Sequence, residues 1–511
     1  MVTQPMLLEM QECDAPPNGP SKPAVPRLKE PNRDQFVMDS VDLDKLIPAD
    51  HLARGIAALV ERLPTQGFLK ENKSVEGHAG RPRLSPKMLL SIWVYSLSKG
   101  IGQASAIHAE MMHEPGLRWL AGNLIVSDRT FSDFRTAHGE ALREIFTGML
   151  GILDKEGLID LSELTLDGTK IKANAGSDSK RREKSLQEHI AKAAEVVREL
   201  EQKEVSAEIS KRREAAIKRG AEEKHERLKK AAEELEEFRK SKKSEAEREE
   251  ARVSMTDPEA RTMKDGHGGF ALSYNVQVVT ETKNKIVVHV AATQQASDQQ
   301  QLKGVLERLE QKKLMPERII VDGGYATAGN IELAEKKKVE LIGPVPDLKK
   351  QQARNCEQSL KRAGIATEFG PSAFIQIEDG KALQCPAGKR MGRQCSNAEF
   401  DQYVSKKSDC AGCPNQAQCS PKGQRTVKVR KPNEVMQAYI KRMKEAENQA
   451  RYKKRGPVAE FPHAWWKDKL GLRQFNVRGL VKVEIEVWWA ALTYNIQQWV
   501  RLSWRANLAV A

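Results

Sequence analysis

Apolar residues recur along this chain at two spacings, and each spacing marks out its own elements. From about 41 to 157 they return every three or four positions, which predicts helices. In "LSPKMLLSIWVYSLSKG", Ser85 is placed to cap a helix whose first residue is Pro86. Ser127 caps another stretch, in which Phe131, Phe134 and Leu142 share a buried side while Arg129, Arg135 and Arg143 carry charge. Further on the spacing drops to two. Leu164 and Leu166 form a short strand that meets Asp167 and Gly168, after which Ile171 and Ala173 have changed parity. That change predicts a bend or bulge at the Asp-Gly step. Leu272, Tyr274, Val276 and Val278 alternate, 282–285 turn, and Ile286, Val288 and Val290 alternate back, a hairpin. Ser297 and Gln300 then read as a capping box before the stripe Leu302, Val305, Leu306 and Leu309. The apolar run Ile319, Ile320 and Val321 climbs to Asp322, Gly323 and Gly324, followed by a helix near 330–337 and a strand in "VELIGPVP". Hairpin strands followed by crossover helices predict a mixed α/β sheet.

Between the two carboxylate strands, residues 179–252 are almost all Lys, Glu, Arg, Ala and Gln. Leu186, Ile190, Ala193, Val197 and Leu200 keep a 4-3-4-3 spacing, and Leu228, Leu235 and Phe238 recover it. The pattern predicts a helical hairpin or coiled coil whose register breaks near Gly220. Its charge reads as a solvated face.

With 511 residues the chain exceeds one core, and 39% hydrophobic with 30% charged residues describes a soluble globular protein. No apolar run approaches the roughly 18 residues a membrane helix needs, so no membrane partner is expected. Residues 1–40 are rich in proline and polar residues and read as a disordered arm, not as a secretory signal. A net charge of +14 favours a polyanionic partner. Short arginine-bearing helices over 41–157 suit a helix-turn-helix-like DNA module, with Arg129 and Arg135 as contacts, or a plain helical bundle.

Five of the seven cysteines fall between Cys385 and Cys419. Cys385, Cys410, Cys413 and Cys419 read C…C-x2-C-x5-C, and a Cys-x-x-Cys step lets two thiolates reach one tetrahedral Zn²⁺. Structural zinc and four free thiols are the two readings; Cys395 is a spare ligand. His267 and His289 read as structural or solvent-facing.

Asp167 and Asp322, on strands of one sheet, suit a divalent cation with oxygen ligands. Such a site stabilises the attacking and leaving oxygens of an in-line phosphoryl displacement. In "RYKKRGPVAEFPHAWWKDKLGLRQF", Glu460 offers a third carboxylate, and Lys467, seven residues on, shares its helix face. Glu484 and Glu486 compete for that role.

The phrases "LTLDGTKIKANA", "DPEARTMKDGHGGFALSYNVQ", "IIVDGGYATAGNI", "YKKRGPVAEFPHAWWK" and "VRGLVKVEIEVWWAALTYNIQQW" occur in order. In them the chain resembles bacterial insertion-sequence transposases of the DDE superfamily, from about 41 to 499. The resemblance implies an RNase H-like core in which Asp167, Asp322 and Glu460 hold Mg²⁺ (or Mn²⁺). Glu460 matches the family's tyrosine–arginine–glutamate–lysine signature, here Tyr452, Arg455, Glu460 and Lys467. Two-metal cleavage of transposon ends and joining to target DNA follow from it, with Arg455, Lys467 and Tyr452 binding DNA, the first two on backbone phosphates. Relatives carry a small or glycine-containing stretch after the glutamate, where this chain has "FPHAWWK". Proline belongs in a first helical turn, so the helix is expected to begin near Glu460, with Glu486 as the alternative ligand. Trp465 and Trp466 stack on an unpaired base or pack in the core.

The expected domains are the arm 1–40, a helical DNA-binding-like domain 41–157, and an RNase H-like core 158–178 with 253–348. They continue with the charged insertion 179–252, a Cys-rich insertion 349–430 and a C-terminal helical part 431–511. DNA is the expected partner, as terminal inverted repeats and target, with the chain a homo-oligomer on DNA in the bacterial cytoplasm near the nucleoid. Two other functions fit less of the pattern: a catalytically inactive, transposase-derived DNA-binding protein, and a coiled-coil scaffold.

Overall fold

The structure is a computed structural model that describes residues 41–69, 83–202, 211–242, 244–265, 268–346, 348–397, 399–431 and 433–510. All but the first two of these belong to one unit, Leu43–Ala511. The arm 1–40 and His267 lie outside the described residues.

Six strands form the central sheet: β1 (Glu163–Lys172), β2 (Arg261–Lys264), β3 (Phe270–Glu281), β4 (Val287–Thr293), β5 (Arg318–Val321) and β6 (Glu340–Ile342). β1 lies in the middle. It runs antiparallel to β3, from Leu164 opposite Glu281 to Lys172 opposite Ser273, and parallel to β5, with Leu166 beside Val321. β6 extends the parallel half beside β5, while β2 and β4 both pair with β3 antiparallel. The mixed order β4-β3-β1-β5-β6, with crossover helices Gln301–Gln311 and Ala328–Lys336, is RNase H-like.

The expected bulge at Asp167–Gly168 is not there, because β1 keeps unbroken register with β3 through both residues. Parity changes because β1 is central and covered on both faces: Leu166 and Ile171, on opposite faces, are both buried. The irregularity falls instead on β4, where Val279 and Thr280 of β3 pair with His289 and Val287 and skip Val288. The capping box also fails. The helix begins at Gln301 with Gln300 as its N-cap and no side-chain cap bond, since Ser297 lies one turn too early.

The helix Leu480–Trp499 is buried almost all round. On one side Asn495 completes the hydrogen bonding of β4, its Nδ2 donating to Val287 O at 2.8 Å and its Oδ1 accepting from Val287 N at 2.9 Å. Along the same helix Trp488 meets Phe146 edge to face at 4.8 Å, and Trp489 Nε1 donates to Arg135 O. The helices between Leu52 and Lys155 therefore share one hydrophobic core with the sheet. Ser85 and Ser127 cap as expected, accepting from Met88 N and Thr130 N. The stretch after Ser127 is two helices, Asp128–Ala137 and Gly139–Lys155, separated at His138.

The charged insertion is a helical hairpin, Glu183–Gln202 against Lys211–Lys240, around Leu186, Ala193, Leu228, Ala231 and Leu235. The helix continues through Gly220, so the break expected there is not found. The Cys-rich insertion holds a five-stranded antiparallel sheet, 375–377, 382–384, 390–396, 400–404 and 426–430, over a core of Phe374, Leu383, Met391, Tyr403 and Val427.

Candidate active site

Leu166 and Val321 are the last paired residues of β1 and β5, so Asp167 and Asp322 follow at neighbouring positions on parallel strands about 4.8 Å apart. Each carboxylate is steadied by the backbone beyond it. Asp167 Oδ1 accepts from Gly168 N at 2.9 Å, and Asp322 Oδ1 from Gly324 N at 2.8 Å. Asp322 O also accepts from Tyr325 N and Ala326 N, which turns the chain sharply away from β5. Asp167 is pushed up to about 6, first by burial, then by the neighbouring charges of Asp322 and Asp298; Arg455 and the Gly168 amide pull the other way. A carboxylate raised in this manner is a ready ligand for a cation that neutralises its neighbours.

The helix Arg455–Asp468 packs against β1 and β3. Arg455 Nη1 is 3.4 Å from Asp167 Oδ2, and His463 Nδ1 is 3.9 Å from the same oxygen. Burial first, then Lys467 and Arg455, push His463 down to about 3, so its imidazole is neutral. Lys467 is lowered by burial and by Arg473, against the pull of Asp468 and Asp167. Tyr452 is half-buried against the main core. Glu460, by contrast, is exposed, and its carboxylate makes no ion pair or hydrogen bond among the described residues. Its helix begins five residues before it, not at it, and Pro462 sits inside the helix. Arg455 and His463 occupy the face turned to Asp167, and Glu460 stands to one side. Among the described residues no three His, Cys, Asp or Glu side chains are placed closely enough to hold a metal ion. Asp167 and Asp322 nevertheless fit Mg²⁺ as a donor set, since that ion takes one or two carboxylates and fills its shell with water and phosphate oxygen.

Glu486, the alternative third ligand, is buried elsewhere and accepts from Asn476 N, Asn476 Nδ2 and Val477 N. Glu484 pairs with Arg143 at 3.2 Å. Trp466 is fully buried, and Trp465 Nε1 donates to Gln497 Oε1, so both tryptophans pack inside. Arg129 is 78% exposed beside Asp133. Arg135 turns inward, donating to Gly102 O at 2.8 Å with its guanidinium over Trp93.

Several residues at the site escaped the sequence reading. Asn275 and Gln277 on β3 both donate to Asp298 Oδ1, at 2.7 and 2.9 Å, and Tyr325 donates to Gln277 Oε1. The signal was present: two amides interleaved with the apolar positions of a strand buried on both faces must find polar partners.

In the Cys-rich insertion, Cys385, Cys410, Cys413 and Cys419 line one small cavity of about 30 Å³, with Cys395 exposed outside it. Lys389 N donates to Cys385 Sγ at 3.3 Å, and Ser405 Oγ lies 3.1 Å from Cys410 Sγ.

Residues 384–500 match the family described as Transposase DDE domain, and residues 41–137 match the Transposase domain (DUF772). Both matches indicate an insertion-sequence transposase of the DDE type. The first match takes in Arg455, Glu460 and Lys467; Asp167 and Asp322 of this transposase lie outside both. No curated protein matches. A cryo-EM structure of a piggyBac transposase synaptic complex with hairpin DNA aligns over 90% of this chain and 73% of its own. At 9% identity and a TM-score of 0.28, that likeness carries no argument.

Proposed function

We propose that this transposase cleaves the ends of its own element and joins them to target DNA, with Asp167, Asp322 and Glu460 as the carboxylates of the reaction. The observation that carries the proposal is the placement of Asp167 and Asp322 at neighbouring positions of β1 and β5, each held by its own backbone amide. They are the residues to hold Mg²⁺ or Mn²⁺, with Glu460 joining from the helix above. When bound, the metal supplies an activated oxygen nucleophile and charge stabilisation for in-line displacement at phosphorus.

The protein's own residues do the remaining work. Arg455 and Lys467 bind backbone phosphates, which fixes the register of the DNA and reads no bases. Arg455, which lies beside Asp167, would be released to phosphate if that carboxylate held a metal. His463, neutral and buried, packs behind Asp167 without adding charge. Of the two arginines expected to contact DNA, Arg129 is the exposed one and the candidate that remains. The chain acts as a homo-oligomer on terminal repeats and target, in the cytoplasm at the nucleoid. No described helix is long and apolar enough to cross a membrane. The four cavity-lining cysteines are the residues that would hold a structural Zn²⁺, which would brace the insertion. The test is zinc release by chelator from wild type and Cys413→Ser, with about one zinc per chain expected only for wild type.

A second reading has its own support: Glu460 stands away from the aspartates while Arg455 sits on Asp167, as in a derivative that binds DNA without cutting it. Mg²⁺-dependent cleavage of the element's end DNA decides. Wild type cutting while Asp322→Asn and Glu460→Gln bind but do not cut establishes the catalytic reading. Binding by wild type without cleavage, lost steeply as salt rises, selects the derivative.

A further inference from the structure

Asp298 stands in a polar loop between β4 and the helix Gln301–Gln311, and the structure builds around it with unusual care. Its Oδ1 accepts from two buried amides, Asn275 Nδ2 at 2.7 Å and Gln277 Nε2 at 2.9 Å. Beneath it β1 carries Gly168, next to Asp167; a Cβ there would lie 2.6 Å from Asp298 Oδ1. On its other flank is the Asp322 turn, where a Cβ on Gly324 would come within 3.6 Å of Asp298 Cβ. Asn330 Nδ2 ties the two loops together, donating to Gln299 O at 2.8 Å and to Tyr325 O at 2.7 Å. Asn275 is fully buried, yet its Oδ1 finds no partner among the described residues and faces the Gly168 position at 3.1 Å. Two amides are held against one carboxylate oxygen of Asp298, and an unpaired acceptor beside it makes the same corner rich in oxygen.

We infer that Asp298 is a positioning residue of the metal site: a fixed third negative charge behind Asp167 and Asp322 that strengthens cation binding without ligating. This rests on the metal-dependent reading above. Asp298 acts through the other two. It clamps the Gly168 step of β1 and the Asp322 turn at one separation, and its charge adds to the field a divalent cation meets. Outer partners of metal ligands change affinity by about 10- to 100-fold when removed.

The test is Mn²⁺ binding to the full chain without DNA, followed by the loss of the free-ion paramagnetic resonance signal. Wild type, Asp322→Asn, Asp298→Asn and Asp298→Glu are compared, with a thermal melt for each. Asp298→Asn is expected to weaken Mn²⁺ binding by about 10-fold or more at an unchanged melting temperature, and Asp298→Glu, which keeps the charge, by less than about 3-fold. In end-DNA cleavage, Asp298→Asn should raise the Mg²⁺ needed for half-maximal rate and leave the rate at saturating Mg²⁺ nearly intact. Wild-type affinity in Asp298→Asn, with Asp322→Asn impaired, overturns the role of Asp298 and leaves the metal reading standing. Equal binding by wild type and Asp322→Asn, or none by wild type, overturns both. If Asp298→Asn does not fold, Asn275→Ser, which removes one of the two donors, takes its place. A several-fold weakening is then expected, and unchanged affinity counts against the proposal.

Discussion

The strand-borne and helix-borne halves of the site are built on different terms. Asp167 and Asp322 follow directly after paired residues of adjacent parallel strands, so sheet hydrogen bonding fixes where they leave the backbone. Arg455, Glu460, His463 and Lys467 come from one helix, where placement depends on rotation about the helix axis. Arg455 and His463 face Asp167, whereas Glu460 is turned to solvent. The sheet fixes its two carboxylates by backbone pairing, whereas the position of Glu460 depends on how its helix is turned.

The largest effect should come from the strand half. Asp322→Asn is expected to lower cleavage of end DNA by about 10³-fold, the equivalent of about 4 kcal/mol of transition-state stabilisation, with DNA binding intact. Glu460→Gln should lower cleavage by about 10²-fold and barely alter Mn²⁺ binding without DNA, because its carboxylate joins only in the assembled complex. Equal losses of Mn²⁺ binding in the two variants would erase the distinction between the halves. Gly168→Ala forces Asp298 off β1 and should destabilise the fold by about 1–3 kcal/mol, read as a lower denaturant midpoint.

A separate effect lies away from the site. Burial, with Lys312, Arg308 and Arg143 nearby, pushes His289 down to about 3, and its ring nitrogens have no partner among the described residues. Below about pH 6.5 the unfolded chain takes up a proton there that the folded chain refuses, so stability falls as pH drops from about 6.5 towards 3. His289→Leu should flatten that fall by up to about 1.4 kcal/mol per pH unit in chemical denaturation across the window, with cleavage at neutral pH unchanged.

What was legible in the sequence divides along the same line. The hairpin, the Leu302–Leu309 stripe and the Asp322 strand are where the spacing put them, because a buried strand or helix face writes its period into the apolar positions. The expected bulge at Asp167 misread a central strand, whose two covered faces make parity uninformative. The helix around Glu460 begins five residues earlier than Pro462 suggested, since a proline is accommodated within it and composition alone does not mark its start. Asp298 was invisible because nothing in "ASDQQ" distinguishes a clamp from a loop; only Asn275 and Gln277, interleaved in an apolar strand, hinted that a partner was needed. The sheet of the Cys-rich insertion went unread because its strands are short and much of their surface is polar and exposed.

The most direct measurement maps where the metal sits. Fe²⁺ exchanged into the site, with ascorbate and peroxide, generates radicals that cut the polypeptide beside the bound ion, and mass spectrometry locates the breaks. The account predicts breaks near Asp167 and Asp322, suppressed by excess Mg²⁺ and absent in Asp322→Asn, with a break near Glu460 appearing only when end DNA is bound. Breaks elsewhere, or breaks at Asp167 that persist in Asp322→Asn, would contradict it.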